Sequence, residues 1–149
     1  IKQLPVEFHF VGPIPKTKQI NSSNCIYHGE VKDADSLRNI IDSCQILVSP
    51  SHSEGMPNVI LEAMSRGLAI LATNVGAVPM MVSDLNGKLI EPQNRKSLLE
   101  ALTYFSHLPN ADLRSLRCAS LKHVAQNYKW SSIAEKNIKA IEKATFTQS

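Results

Sequence analysis

The chain has 149 residues, 43% of them hydrophobic and 19% charged, a composition that fits one globular domain with a sizeable core. A formal charge of +3 and a pI near 8.8 argue against nucleic acid as a partner and are compatible with an anionic ligand or loose contact with acidic lipid. No apolar run approaches the roughly 20 residues of a membrane span, and the start carries no signal-peptide pattern.

The chain opens on Ile1 rather than Met and reads as a fragment cut from a longer one. Phe8 to Val11 and Cys25 to Tyr27 are short apolar runs, each followed by a glycine (Gly12, Gly29), and they predict strands. A helix follows from about Asp35 to Cys44, where Leu37, Ile40, Ile41 and Cys44 form an i, i+3, i+4, i+7 stripe and Asp33 or Asp35 caps the start. Ile46 to Val48 is a continuous apolar strand. The loop Ser49 to Pro57 leads into an apolar helix from about Asn58 to Arg66, stopped by Gly67.

Ala69 to Ala72 reads as another buried strand, and the loop Thr73 to Pro79 carries Gly76. A short helix from Met80 to Ser83 precedes the turn Asn86-Gly87 and a strand from Lys88 to Ile90. Helices close the chain, with faces predicted at Leu98, Leu102 and Phe105, then at Leu113, Leu116, Val124 and Tyr128, then at Ala134, Ile138 and Ile141. Apolar strands alternating with helices indicate an α/β fold, a doubly wound Rossmann-like parallel sheet with helices on both faces and a helical extension at the C-terminus. Such sheets bind ligands beyond the carboxyl ends of their strands. Those ends are Gly12, Gly29, the Ser49 to Pro57 loop and the Thr73 to Pro79 loop.

The stretch from Ser53 to Gly67, SEGMPNVILEAMSRG, concentrates the chemistry. Gly55 lets backbone approach a ligand closely. Pro57 suits the first helical turn, where its missing N–H costs nothing, and leaves the amides of Asn58 and Val59 pointing out of the helix start. A helix N-terminus attracts anions through such amides and its dipole, and phosphate is the natural guest. Glu54 just before the helix suits neutral hydroxyl donors, such as a sugar carried by that phosphate. Glu62, one turn further in and set in an apolar run, is expected to be buried and to need a partner; a ribose diol would supply one. Two plainer readings stand beside these. Glu62 and Arg66 are spaced for an i, i+4 ion pair, and Glu54 is placed to stabilise the helix dipole.

Pro50 to Pro79, PSHSEGMPNVILEAMSRGLAILATNVGAVP, resembles the signature of the GT-B glycosyltransferases of glycosyltransferase family 4 (group 1). Tyr27 to Val31, Asn86 to Ile90 and Tyr128 to Trp130 resemble further elements of the same family, so the likeness covers most of the chain. The resemblance implies half of a GT-B fold, the C-terminal domain that binds the donor, with its first strand and helix and the N-terminal acceptor domain lying outside residues 1–149. It implies transfer of a hexosyl group from a nucleotide diphosphate sugar, such as a UDP-sugar, to a glycan or lipid-linked acceptor with retention, as in polysaccharide biosynthesis. Glu54 would be the catalytic-site residue that contacts donor sugar hydroxyls, and Glu62 would hold the ribose. Backbone around Gly55, Met56, Pro57, Asn58 and Val59 would meet phosphate or sugar, and Gly29 to Val31 would lie against the base. No metal or other cofactor is implied. The fragment alone would bind donor and turn over nothing.

The chain departs from the family where a second glycine and a glutamate are common: Ala77 and Met80 stand there. This leaves room for a non-catalytic nucleotide-sugar-binding module of the same fold. A receiver or dinucleotide-binding domain is disfavoured, because no G-x-G-x-x-G follows a strand. His52 reads as an exposed loop residue, and Trp130 as packing for the last helix. The histidines lack metal-ligand spacing. Cys25, Cys44 and Cys118 are widely spaced and read as free thiols of a reducing, cytoplasmic compartment. Lys122, Lys129, Lys136, Lys139 and Lys143 form a wet helix face or, on the sharper reading, a peripheral contact at the inner face of a membrane.

Overall fold

The computed structural model describes residues 1–146, except the side chains at 130, 132, 136, 140 and 143–146. In chain order the elements are β1 (Phe8–Val11), β2 (Cys25–Gly29), α1 (Ala34–Ser43), β3 (Ile46–Ser49), α2 (Asn58–Ser65) and β4 (Ala69–Thr73). They continue with α3 (Val78–Met81), β5 (Gly87–Ile90), α4 (Arg95–Ser106), α5 (Asn110–Asn127) and α6 (Trp130–Phe146). Alternation of strand and helix gives the expected α/β class, with every strand pair parallel.

The ladder runs in two pieces rather than the single sheet expected. β1 pairs with β2, and β3, β4 and β5 pair in that order. A doubly wound sheet has the strand order 3-2-1-4-5-6, in which one strand separates 3-2 from 4-5-6. The two pieces here divide at that place, with β1 and β3 each hydrogen-bonded along one edge among the described residues.

β4 organises the core. All five of its residues are buried, and the first four alternate between two apolar layers. Ile70 and Ala72 join Ile60, Ala63, Met64, Val78, Met81 and Val82, a layer supplied by α2, α3 and their flanks. Ala69 and Leu71 join Ile90, Ala101, Leu102, Phe105 and Leu113, with Phe8, Ile46 and Val48 packed alongside. A parallel strand covered on both faces must read as an unbroken apolar run, which is why Ala69 to Ala72 does.

Asp33 is the residue that caps α1, accepting a hydrogen bond from the Ser36 amide at 2.7 Å. At the other end of α2, Gly67 takes φ +71° while its amide bonds to the Met64 carbonyl and the Leu68 amide bonds to the Ala63 carbonyl, both at 3.0 Å. That is a Schellman ending, and it confirms Gly67 as the stop. The Asn86-Gly87 pair does more than turn the chain. The buried Asn86 side chain accepts from the Ser83 amide and donates to the Met81 carbonyl. A Cβ on Gly87 would sit 2.0 Å from the Ile70 carbonyl oxygen, so only glycine lets β5 start against β4.

Two expectations need correction. The short helix spans Val78–Met81 rather than Met80 to Ser83, because Pro79 fits the first turn and Ser83 is engaged by Asn86. On α6 the predicted apolar face is uncovered: Ala134 is exposed, as are Ile138 at 55% and Ile141 at 65%. Helical spacing marks a face but does not supply the surface that covers it. The Trp130 side chain, and those of Lys136 and Lys143, lie outside the described residues. No described helix is long and apolar enough to cross a membrane.

Candidate functional site

β3 delivers the chain at Ser49 into the loop that ends at Pro57, and α2 begins at Asn58. Pro57 occupies the N-cap position, one place earlier than expected, with φ −72° and ψ 113°. It offers no side-chain cap, and the first turn closes only by a hydrogen bond from the Ile60 amide to the Pro57 carbonyl at 3.1 Å. The amides of Asn58 and Val59 therefore have no protein acceptor among the described residues. They are the orphan donors that a helix start leaves for a ligand.

α2 is buried on one face only. Ile60, Ala63 and Met64 enter the core, while Asn58, Val59, Glu62 and Ser65 are exposed. Glu62 is thus not the buried carboxylate that its apolar neighbours in sequence suggest. The apolar residue beside it, Val59, is itself turned outward at 43% exposure. Nor does Glu62 pair with Arg66, which reaches across to Asp42 on α1. Glu54 is half-buried, and neither glutamate side chain has a protein hydrogen bond or ion pair among the described residues.

Gly55 and Met56 are exposed, and a Cβ on Gly55 would meet nothing within 4 Å. The space in front of the loop is open. His52 is exposed, as expected. Glu54, Gly55, Met56, Pro57, Asn58, Val59 and Glu62 are brought together by one loop and one helix. Gly29 and Val31 belong to a different segment: Gly29 ends β2 at φ +67°, with its carbonyl accepting from the Gly12 amide at 2.7 Å. No hydrogen bond among the described residues ties Gly29 or Val31 to the α2 loop.

The site is held from behind. Arg117 of α5 donates to the Gly67 carbonyl at 2.6 Å and so anchors the far end of α2. Tyr128, at the end of α5, donates its hydroxyl to the Met80 carbonyl at 3.1 Å and fixes α3; partial burial pushes its phenol pKa above the usual value. Sequence reasoning placed Tyr128 on a packing face but missed this polar role, which pairs residues 48 apart.

Parallel strands alternating with helices, with unpaired helix-start amides and two carboxylates without protein partners among the described residues in the loop and helix after β3, define a domain of the doubly wound class. The chain belongs to the glycosyl transferases of group 1, whose family model matches residues 1–107. It is 32% identical over 98 residues to the glycosyltransferase TuaC of Bacillus subtilis, whose name assigns it to teichuronic acid biosynthesis; the alignment covers 66% of this chain and 25% of TuaC. It superposes on the C-terminal domain of the group 1 glycosyl transferase LpcC from Francisella tularensis with a TM-score of 0.63 at 28% identity, covering 72% of this chain and 55% of that one. The Anabaena protein HepE, solved with UDP, shares the fold at a TM-score of 0.71 and 17% identity, over 93% of this chain and 41% of HepE. The chain thus spans a quarter of TuaC's length.

Proposed function

We propose that residues 1–149 form the donor-binding part of a retaining, nucleotide-sugar-dependent glycosyltransferase whose acceptor site and remaining donor contacts lie outside this segment. The observation that carries this reading is the start of α2: two amides and two glutamate side chains that have no protein partners among the described residues. Amides and helix dipole suit the diphosphate. Each carboxylate suits hydroxyl donors, since an ionised carboxylate only accepts. Glu54 then reads the transferred sugar and stands nearest the reacting carbon, while Glu62 holds the ribose. The open space at Gly55 admits the ligand between them. The UDP bound by HepE and the words teichuronic acid biosynthesis glycosyltransferase in TuaC's name support a nucleotide sugar as donor and a glycan as acceptor.

The test is a thermal-shift and calorimetric panel of UDP, GDP, ADP and their hexose conjugates on the intact protein. The reading expects one base to bind and Glu54→Ala to weaken the sugar conjugate more than the bare nucleotide. Equal loss for both ligands removes the sugar assignment of Glu54.

A further inference from the structure

We infer that the turn between β4 and α3, residues 73–77, is a strap that sets the position of Glu54, with Thr73 and Gly76 as its positioning residues. The inference rests on the donor-site reading given above and says what makes that site rigid.

The contacts converge on one short loop. The Thr73 hydroxyl donates to the Ser51 carbonyl at 2.5 Å. The Ala77 amide donates to the Gly55 carbonyl at 2.9 Å. Among the described residues these are the hydrogen bonds that residues 50–56 make beyond the β3 ladder. Between them Gly76, at φ +54°, lies flat against the backbone of Glu54. A Cβ there would fall 1.9 Å from the Glu54 carbonyl oxygen and 2.8 Å from that of Gly55. No side chain fits that gap, and no non-glycine residue adopts that backbone angle without strain.

The strap is itself fixed at both ends. Thr73 is the last residue of β4 and is buried. α3, which begins directly after Ala77, is tied to α5 through the Tyr128 hydroxyl. A carboxylate with no side-chain partner of its own is placed only as well as its backbone is placed. Here the core strand β4 and the helix α5 supply that placement. The Thr73 hydroxyl proton is spent on Ser51, and Gly76 acts through its backbone, so neither positions Glu54 by a side-chain contact with it. Ala77 has an ordinary φ of −87° and serves through its amide.

The experiment compares wild type, Thr73→Val, Thr73→Ser and Gly76→Ala in the intact protein. Valine keeps the branched shape and removes the donor; serine restores it. Two readouts are taken: calorimetric affinity for the nucleoside diphosphate and for its sugar conjugate, and hydrogen exchange of peptides covering residues 50–57 and 69–72 without ligand. The strap predicts that Thr73→Val and Gly76→Ala keep the bare nucleotide and weaken the conjugate by about tenfold or more, with Thr73→Ser close to wild type. It also predicts faster exchange at 50–57 with 69–72 unchanged. Conjugate affinity of Thr73→Val equal to wild type, or unchanged exchange at 50–57, overturns the inference. If wild type binds conjugate no better than bare nucleotide, the donor-site reading fails, and exchange in Thr73→Val alone still decides whether the strap exists.

Discussion

Arg66 turns away from Glu62, its neighbour one turn back on α2, and pairs with Asp42 on α1. The most local partner for Glu62 is thereby used elsewhere, and the carboxylate faces solvent beside the helix start. This division of labour separates stability from binding. Arg66→Ala is expected to cost about 0–1 kcal/mol of unfolding free energy, the range of a partly exposed ion pair, and to leave nucleotide affinity unchanged. Denaturant titration and calorimetry on the same preparation check both halves.

Ser120 is fully buried on α5, and its hydroxyl has no hydrogen-bond partner among the described residues. A buried hydroxyl without a partner costs stability. Ser120→Ala is expected to stabilise the protein by about 1 kcal/mol, which is about 2–4 °C in Tm for a chain of this size. Differential scanning calorimetry reads this directly; a lower Tm would mean that the hydroxyl is satisfied.

Gly67→Ala is expected to be destabilising by about 1–2 kcal/mol, because its φ of +71° is unfavourable for an L side chain and a Cβ would press on Leu121 at 3.2 Å. Denaturant midpoints check the figure. The same measurement on Gly55→Ala should show a smaller change, since a methyl there meets nothing.

Asp33 caps α1, and hydrogen bonds from the Ser36 side chain and amide hold its carboxyl below the ordinary value of 3.8. A carboxylate with a depressed folded-state pKa stabilises the fold above its unfolded value and loses that contribution as pH falls through the folded one. The stability gap between wild type and Asp33→Ala should therefore be constant near neutral pH and close as the pH drops below the carboxylate range. Urea titrations at descending pH test this; a gap that widens in acid contradicts it.

Burial pushes the Cys44 thiol above its usual pKa of 9.0, whereas Cys118 is exposed on α5. Alkylation at neutral pH followed by peptide mass spectrometry should label Cys118 well before Cys44. Equal rates would mean that the end of α1 opens readily.

Much of this architecture was legible in the chain itself. The unbroken run Ala69 to Ala72 announced a strand buried on both faces, the Leu37 to Cys44 stripe announced α1, and Gly67 announced the end of α2. What could not be read were relations between distant segments. The exposure of Glu62 depends on which side of α2 meets β4 and α5, and its apolar neighbours in sequence pointed the other way. The choice of Asp42 over Glu62 by Arg66 spans 24 residues. The contact of Thr73 with Ser51 spans 22, and no local pattern encodes it. Likewise the stripe at Ile138 and Ile141 has the spacing of a packed face but lies open.

The most direct test is a calorimetric titration of the preferred nucleoside diphosphate, without its sugar, into wild type and Glu62→Ala. If the free carboxylate on α2 grips a ribose diol, the variant binds about tenfold or more weakly, the loss of one charged hydrogen-bonding partner of about 1.5–3 kcal/mol. Equal affinities would contradict the account.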